Sequence, residues 1–302
     1  MSSAKRVLIK WLAVSCIAIV GNSAFVNSMA KAPTNAKASA QQSSNISSPS
    51  LDELIFKEMH DIAYKKYQPQ QKPAKKQEYI PQIYSSAKTD EKVIAITIDD
   101  LYDLDLVREA LSLGDKYGVR FTFFPIGKTV KRDPELYKEL LAKGHEIELH
   151  TYDHSWATNQ KVQGTFDKIY KNYADDISTL RDCIDPNLVF HFARPPGGNG
   201  YFGYSSTKLG LYEPLSKAIG ALEDCNFGVP VDVAIWSGDS MFVNGKLTDS
   251  EYVLSYFKKT LSPGKIFLYH TRQADFSVME DIIKYAKSQG YTMVTLESLL
   301  GK

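Results

Sequence analysis

Acidic, histidine and arginine side chains follow five apolar, strand-like runs in the C-terminal two-thirds of the chain. Parallel strands separated by helices gather their C-terminal ends on one face, so residues far apart in sequence converge there. The converging set contains two carboxylates, a pair of histidines, an arginine and a further histidine, and it is equipped for metal-assisted hydrolysis. The five polar clusters are Asp99–Asp100, His150–His154, Arg194–Gly198, Ser237–Asp239 and His270.

A pair of histidines, His150 and His154, lies directly after one of these apolar runs. On a helix or a helical turn this spacing places both imidazoles on one side, where they can bind one metal ion. The adjacent Asp99 and Asp100 can divide two tasks, one carboxylate binding the metal and the other taking a proton from water. The alternatives are a surface loop with two unrelated histidines and an acidic turn that leads into the next helix.

An arginine and a histidine nearer the C-terminus complete the set of polar side chains. Arg194 precedes two prolines that stiffen the backbone and two glycines that let a substrate approach the chain closely. Its guanidinium could hold Asp99 in a charge-assisted pair, or it could be solvated on an ordinary rigid loop. His270 can act as a general acid because the reference pKa of histidine is about 6.5. It could also be a core histidine or a spectator near a metal.

Strand-like runs alternate with helical patterns from about residue 91 to the C-terminus. This alternation predicts an α/β fold, a parallel (β/α)7 barrel that is distorted or incompletely closed. Asp133 and Pro134 mark one helix start, as a cap and a first-turn proline. The predicted strands are Val93–Ile98, Arg120–Phe124, Glu146–Leu149, Leu188–Ala193, Val231–Trp236, Lys265–Tyr269 and Thr292–Thr295. Predicted helices include Leu106–Tyr117, Pro134–Ala142, Phe166–Cys183, Ser250–Leu261 and Val278–Ser288.

The N-terminus has the features of a secretory signal peptide. Basic residues precede the apolar run Trp11–Val20, and small residues at Ala24 and Ala30 offer cleavage sites. We therefore expect a signal peptide at 1–30 and an exported protein, periplasmic or secreted. Membrane association is expected only if the segment is retained as an anchor. The net charge of +1 gives no reason to expect nucleic acid as a partner.

A low-complexity linker is expected to separate this signal from the folded part. Residues 31–90 contain a polar stretch and a short amphipathic helix at Leu51–Tyr67, and the folded domain is predicted at 91–302. In an exported chain, Cys183 and Cys225 could form a disulfide. They could equally be two buried free thiols, which behave as small apolar side chains.

The ordered set of motifs resembles the polysaccharide deacetylase family, also called NodB-like domains or carbohydrate esterase family 4. Thr97–Asp100 resembles the first motif, His150–His154 matches the second, and Leu268–His270 matches the fifth. The stretches Arg120–Gly127 and Lys143–His154 are also similar to the family. The resemblance extends from about Glu91 to Leu300, and the order of several motifs is far more specific than any one of them.

This resemblance implies a role for each matching residue. Asp100, His150 and His154 would bind a divalent metal ion, most commonly Zn²⁺. Asp99 would be the base, His270 the acid, and Arg194 the group that orients Asp99. The backbone N–H of Gly197 would contribute to the oxyanion hole, and Asp239 fits the first aspartate of the fourth motif.

Two departures from the family pattern affect the same pocket. Gly197 replaces an aromatic residue of the third motif, and Phe242–Val243 stands where the fourth motif usually has an Asp–Trp pair. The wall of the acetyl pocket and the support of Arg194 are therefore expected to differ. Tyr201, Phe202 and Tyr204 follow the glycines and could supply the missing stacking surface for a substrate, or could pack in the core.

The implied function is an exported, metal-dependent deacetylase that removes acetyl groups from N-acetylated amino sugars of a polysaccharide. The polymer could be peptidoglycan, a chitin-like glycan or an exopolysaccharide. One alternative is a glycan-binding module that uses the same fold without turnover. A second alternative is an O-acetyl polysaccharide esterase, which would use the same machinery on a better leaving group.

Overall fold

The computed structural model describes residues 78–158, 164–202 and 210–302. The expected signal peptide, most of the linker with its helix at Leu51–Tyr67, and Tyr204 lie outside the described residues. Within those three ranges, no helix is both long enough and apolar enough to cross a membrane. The described ranges comprise most of the predicted folded domain and a short segment before it.

Parallel strands form the centre of the domain. The longest strand has eight residues, of which six in succession are buried, as expected for a strand covered on both faces. All seven strands expected from the sequence are present in parallel pairings, which confirms the predicted α/β class. In chain order the strands are β1 Ile83–Tyr84, β2 Val93–Asp100, β3 Thr122–Pro125, β4 Glu146–Ile147, β5 Phe192–Ala193, β6 Asp232–Ala234, β7 Gly238–Asp239, β8 Phe242–Val243, β9 Lys246–Leu247, β10 Ile266–His270 and β11 Thr292–Val294.

Strand pairings, with one step made by the chain itself, surround a packed interior. β2 lies between β3 and β10, and β3 pairs with β4. A parallel bridge between Leu149 and Ala193 connects the end of β4 to β5, which pairs with β6. The chain runs from β6 into β7, and β7 pairs with β10, which completes the ring. β11 lies beside the first half of β2.

Helices join successive strands and carry the expected end signals. Asp133 caps the helix that begins at Pro134 by accepting the backbone N–H of Leu136, and Pro134 occupies the first turn, as predicted. Asp103 caps the helix Leu104–Tyr117 in the same way, and Gly118 ends that helix in the left-handed region with φ 62°. The helices are α1 Leu104–Tyr117, α2 Gly127–Val130, α3 Pro134–Ala142, α4 Phe166–Cys183, α5 Glu213–Gly220, α6 Ser250–Thr260, α7 Gln273–Phe276, α8 Met279–Ser288 and α9 Leu296–Leu300. Two 3₁₀ turns lie at Pro196–Gly198 and Ala221–Asp224.

The predicted strand at Leu188–Ala193 is shorter than expected, because only its last two residues pair as β5. Here side chains, instead of a neighbouring strand, accept the hydrogen bonds of the backbone N–H groups. The N–H of Phe190 donates to the Asn226 side chain, and the N–H groups of His191 and Phe192 donate to the Glu148 carboxylate. These acceptors satisfy the backbone without a ladder, which hydropathy alone does not reveal.

Cys183 and Cys225 are both free thiols in the structure, so the disulfide that the sequence allowed is not formed. The thiol of Cys225 donates to the backbone carbonyl of Leu222 at 3.3 Å. Both cysteines are partly buried against the hydrophobic core. They therefore follow the alternative interpretation, in which each acts as a small apolar side chain.

Candidate active site

The two adjacent aspartates end β2 at the C-terminal edge of the ring. Asp99 is 2% exposed, and Asp100 bends the chain away from the strand with φ 70°. Leu101 also has a positive φ, of 59°. Consecutive left-handed residues other than glycine are unfavourable, so packing around the end of β2 must hold them in place. The turn separates the two carboxylates, as a division of their tasks requires.

Three potential ligand atoms converge beside this turn. The Oδ1 atom of Asp100 lies 3.3 Å from Nε2 of His150 and 3.1 Å from Nε2 of His154. Burial opposes the charge on Asp100, but the two histidines outweigh this effect and lower its pKa, so that it is a carboxylate at neutral pH. Among the described residues, Asp100 Oδ1 is buried and has no hydrogen-bond partner. One carboxylate and two imidazoles with an unsatisfied oxygen between them fit a divalent cation.

The loop that carries the histidines is not helical, contrary to the sequence-based expectation. Residues 150–156 contain no helix, and Thr151 and His154 have left-handed φ angles of 69° and 67°. The hydroxyl of Thr151 accepts the N–H of His154 at 3.1 Å and holds the bend. The imidazoles thus reach a common point by a bent backbone instead of by one helical turn.

Backbone groups orient His150 toward Asp100. Its Nδ1 atom lies 2.8 Å from the carbonyl oxygen of Arg194, and because a carbonyl only accepts, Nδ1 must carry the proton. In the neutral imidazole Nε2 then carries the lone pair and is the nitrogen available as a ligand. The N–H of His150 donates to Asp176 at 3.0 Å, and burial raises the pKa of Asp176 to about 8. Sequence analysis missed Asp176, because its link to the site arises only from the packing of α4 on the histidine loop.

A fully buried arginine holds the other aspartate. Arg194 Nη1 donates to Oδ1 of Asp99 and to the hydroxyl of Thr97, each at 2.7 Å, and Nε donates to the carbonyl of Ala234 at 2.9 Å. Its guanidinium carbon lies 4.0 Å from the ring centroid of Phe124. Oδ2 of Asp99 lies 3.9 Å from Nε2 of His150. Asp99 therefore has one oxygen bound to the arginine and the other on the histidine side.

His270 ends β10 beside these aspartates. Its Cα pairs with that of Asp99 in the β2–β10 ladder, and its N–H donates to Asp275 at 3.0 Å. In the part of the chain that the structure describes, its Nδ1 atom is buried and has no hydrogen-bond partner. Asp239 lies on β7 next to β10, and burial raises the pKa of its carboxyl. Asp275, missed from the sequence, positions the backbone of His270.

Comparison with known proteins supports the resemblance seen in the sequence. The sequence profile named "Polysaccharide deacetylase" matches residues 86–212. A peptidoglycan N-acetylglucosamine deacetylase of Bacillus cereus is 29% identical over 214 residues, which cover 70% of this chain and 89% of that protein. Over residues 86–212 this chain is therefore similar to the polysaccharide deacetylase family.

Two further members of the family place limits on what the match implies. A peptidoglycan N-acetylmuramic acid deacetylase of Bacillus subtilis is 27% identical over 218 residues, covering 70% of this chain and 73% of that protein. The solved structure of a family pseudoenzyme from Bacillus anthracis has a TM-score of 0.59 and 19% identity, and covers 73% of this chain and 69% of that one. The relatives support a deacetylase function, while the pseudoenzyme shares the fold alone.

The glycine loop departs from the family pattern and lies between two tryptophans. Gly197 has φ 59°, and a Cβ atom there would lie 3.4 Å from the indole of Trp156. A Cβ at Gly198 would lie 3.0 Å from the indole of Trp236. Sequence analysis missed both tryptophans, although Trp156 follows the second histidine by only two residues. Tyr201 packs partly buried against the hydrophobic core and lines a groove beside the loop.

The second departure places a hairpin where the family has an Asp–Trp pair. Phe242–Val243 forms β8, which pairs antiparallel with β9, and Phe242 is 53% exposed. Within the three described ranges, Nη2 of Arg194 is buried without a hydrogen-bond partner. The hairpin therefore does not supply the acceptor that the missing aspartate could provide.

Two hollows adjoin the site. One, of about 580 Å³, extends from the histidine loop to α4, and the other, of about 500 Å³, follows the glycine loop. The first is lined by His154, Trp156, Pro195, Pro196 and residues of α4. The second is lined by Gly197, Gly198, Tyr201, Trp236 and Asp239, among others. An extended polymer has room on both sides of the glycine loop.

A second cluster of potential ligands lies beside the N-terminal ends of β3, β4 and β5. Carboxylate oxygens of Glu146, Glu148 and Glu297 lie within 4.8 Å of one another. Glu146 accepts the Thr122 hydroxyl at 2.6 Å and the N–H of Leu296 at 2.7 Å. Burial, followed by the charge of Glu146, raises the pKa of Glu148 well above its usual value. Hydrogen-bond donors of the protein itself therefore already contact much of this glutamate cluster.

Proposed function

We propose that this protein is an exported, metal-dependent hydrolase that removes acetyl groups from N-acetylated amino sugars of a cell-wall polysaccharide, peptidoglycan being the favoured polymer. The observation that carries the proposal is the convergence of Asp100, His150 and His154 beside the Asp99–Arg194 pair. Bacterial relatives named as peptidoglycan deacetylases support both the reaction and the polymer. A cell-wall substrate requires export, which agrees with the signal-like N-terminus.

Zn²⁺ is the ion we assign to the histidine site. Oδ1 of Asp100 and the Nε2 atoms of His150 and His154 would hold it and leave coordination positions open for water and substrate. The bound ion would act as a Lewis acid toward water and the acetamide carbonyl. The Arg194 carbonyl accepts the proton of His150 Nδ1 and so directs the lone pair of the neutral ring, on Nε2, toward the ion.

Asp99 is assigned the role of general base. Its Oδ1 atom is engaged by Arg194, so Oδ2 remains to take a proton from the attacking water. The water oxygen bonds to the carbonyl carbon of the acetamide, and the C–N bond then breaks. His270 is assigned the role of acid, giving a proton to the departing amine, so that the products are acetate and a free amino sugar. The N–H of Gly197 is assigned to the developing oxyanion.

Release of acetate in the presence and absence of a chelator tests this proposal. The full chain is incubated with N-acetylglucosamine oligomers, peptidoglycan and an O-acetylated xylan, and acetate is measured enzymatically. We expect release from the N-acetylated glycans, loss on chelation and recovery with added zinc. Acetate released only from the xylan would instead establish the O-acetyl esterase.

Asp99→Asn is the matched variant for the same assay. Asparagine can still accept the Arg194 hydrogen bond but cannot take a proton, so we expect metal content to be retained and turnover to fall about 10²- to 10⁴-fold. Loss of the metal in this variant would mean that the assignments of Asp99 and Asp100 are exchanged. Unchanged turnover would remove Asp99 from the mechanism.

A second candidate is a glycan-binding protein without turnover. The unpartnered Nη2 of Arg194 favours it, because an arginine that lacks one hydrogen bond would position Asp99 less well. The family pseudoenzyme from Bacillus anthracis is a precedent for the fold without activity. Glycan binding without acetate release, in protein that contains one metal ion per chain, would favour this candidate.

A further inference from the structure

An exposed tryptophan lies next to the proposed metal ligands. Trp156 follows His154 by two residues and is 51% exposed. A single exposed aromatic side chain needs no explanation by itself, but one that lines a hollow beside potential ligand groups is placed to contact a bound molecule. The residue lines the same hollow of about 580 Å³ as His154.

The glycine loop fixes the position of this indole. Three of its atoms, Cζ2, Cε2 and Nε1, would lie 3.4–3.8 Å from a Cβ at Gly197. That distance is ordinary van der Waals contact, so the ring rests against the place where a side chain at position 197 would begin. Gly197 also has a left-handed φ of 59°, which disfavours any larger residue. Glycine at 197 and tryptophan at 156 therefore fill one space together.

Tyr201, Trp236 and Phe227 are less suited to contact a ligand beside the histidine loop, and the exposed Phe202 lines the other hollow. Tyr201 packs against the hydrophobic core, and Trp236 is packed against Gly198 with the Arg194 guanidinium 5.8 Å from its ring. Phe227 is exposed to 63%, but it lies on the guanidinium of Arg181 at 4.0 Å and away from the C-terminal ends of the strands. Trp156 alone among these five combines exposure with a place beside the histidine loop.

We propose that Trp156 is a stacking platform for a pyranose ring of the acetylated glycan, next to the sugar that is deacetylated. The C–H groups on one face of a pyranose are apolar and pack on an aromatic face, while its hydroxyls point outward to water. This inference rests on the proposed function for the identity of the ligand. It places the principal sugar contact on the histidine loop, instead of on Tyr201 as expected from the sequence.

Calorimetric titration with the N-acetylglucosamine hexamer tests the platform. The full chain loaded with zinc is compared with Trp156→Ala, Trp156→Phe and Phe227→Ala. We expect about ten-fold weaker binding for Trp156→Ala, the size of an ordinary anchor contact. Trp156→Phe keeps an aromatic face and should stay within about three-fold of the parent. Phe227→Ala, an equally exposed aromatic truncation elsewhere, should bind as the parent does.

Kinetics and stability separate the platform from a structural role. Loss of a contact made equally in ground and transition states raises KM and leaves kcat nearly unchanged. An unchanged Kd and KM in Trp156→Ala would overturn the proposal, as would failure of the parent to bind the hexamer. A parent that binds the hexamer but releases no acetate would overturn the proposed reaction only, and the Kd series would still decide the role of Trp156.

Discussion

Two clusters of ligand-type side chains lie near opposite ends of the strands, and they differ in what surrounds them. The Asp100–His150–His154 cluster brings an unsatisfied oxygen and two imidazole nitrogens together. In the Glu146–Glu148–Glu297 cluster, three of the six carboxylate oxygens already accept hydrogen bonds from backbone N–H groups or a hydroxyl, and a fourth pairs with His191. In both clusters the potential ligand atoms lie within 4.8 Å of one another. The supply of hydrogen-bond donors from the protein itself, more than the distance between ligand atoms, therefore distinguishes a proposed metal site from a structural network.

The two clusters also differ in the pKa values of their carboxyl groups. Asp100 is ionised because two imidazoles lower its pKa, whereas burial and a neighbouring carboxylate raise the pKa of Glu148. The Oε1 atom of Glu146 is buried without a partner in the described part of the chain, and a proton on Glu148 is the nearest means to satisfy it. We therefore interpret the glutamate cluster as a site that holds a proton.

Removing one ligand from each cluster should give the largest contrast. His154→Ala should lose the metal ion and all measurable acetate release, because two ligands do not hold zinc tightly. Glu297→Gln should keep one metal ion per chain and full activity. Metal content after gel filtration, measured by mass spectrometry, checks both variants. Loss of metal from Glu297→Gln with retention in His154→Ala would reverse the assignment of the two clusters.

The convergence of the site residues could be predicted from the sequence, because the periodicity of apolar residues shows the order of the strands and where each strand ends. The pairing of His270 with Asp99 follows directly from where β10 and β2 end. The bent histidine loop could not be predicted, because it depends on left-handed Thr151 and His154, which ordinary propensities disfavour.

Contacts between loops could not be predicted from the sequence either. The place of Trp156 against Gly197 depends on two loops whose conformations are set by packing, so the stacking role was assigned instead to tyrosines that follow the glycines. The short β5 has a related cause, because a buried Glu148 binds the N–H groups that a neighbouring strand would otherwise use. Hydropathy patterns report burial and do not report such tertiary acceptors.

A proton-holding glutamate cluster should make stability depend on pH. The folded pKa of Glu148 is raised above its usual value of 4.5, so the native state retains a proton that the unfolded state has lost. This contribution to stability is present below about pH 4.5 and decreases as pH rises toward the folded pKa, by at most about 1.4 kcal/mol per pH unit.

Glu148→Gln should therefore flatten this part of the stability profile. Its amide oxygen can accept the N–H groups of His191 and Phe192, and its amide nitrogen can donate to Glu146 at every pH. Urea unfolding between pH 4 and pH 8 measures the effect, and the variant should gain stability relative to the parent as pH rises. Parallel profiles would mean that Glu148 is ionised in the folded protein and would weaken the contrast between the clusters.

The smallest effect is expected from the edge of the glutamate cluster, where Glu297 pairs with His191 at 3.0 Å. The hydrogen bond from this carboxylate raises the pKa of His191, so the pair contributes stability below the unfolded histidine value of 6.5 and loses it as pH rises through the folded value. Both side chains are partly exposed, which limits the contribution to about 0–1 kcal/mol. Glu297→Gln should thus be slightly less stable than the parent at pH 6 and equal to it at pH 9, with the same response of melting temperature to zinc and to chelator. If zinc stabilised the parent but no longer stabilised this variant, Glu297 would be a ligand, and the glutamate cluster would have to be counted as a second metal site.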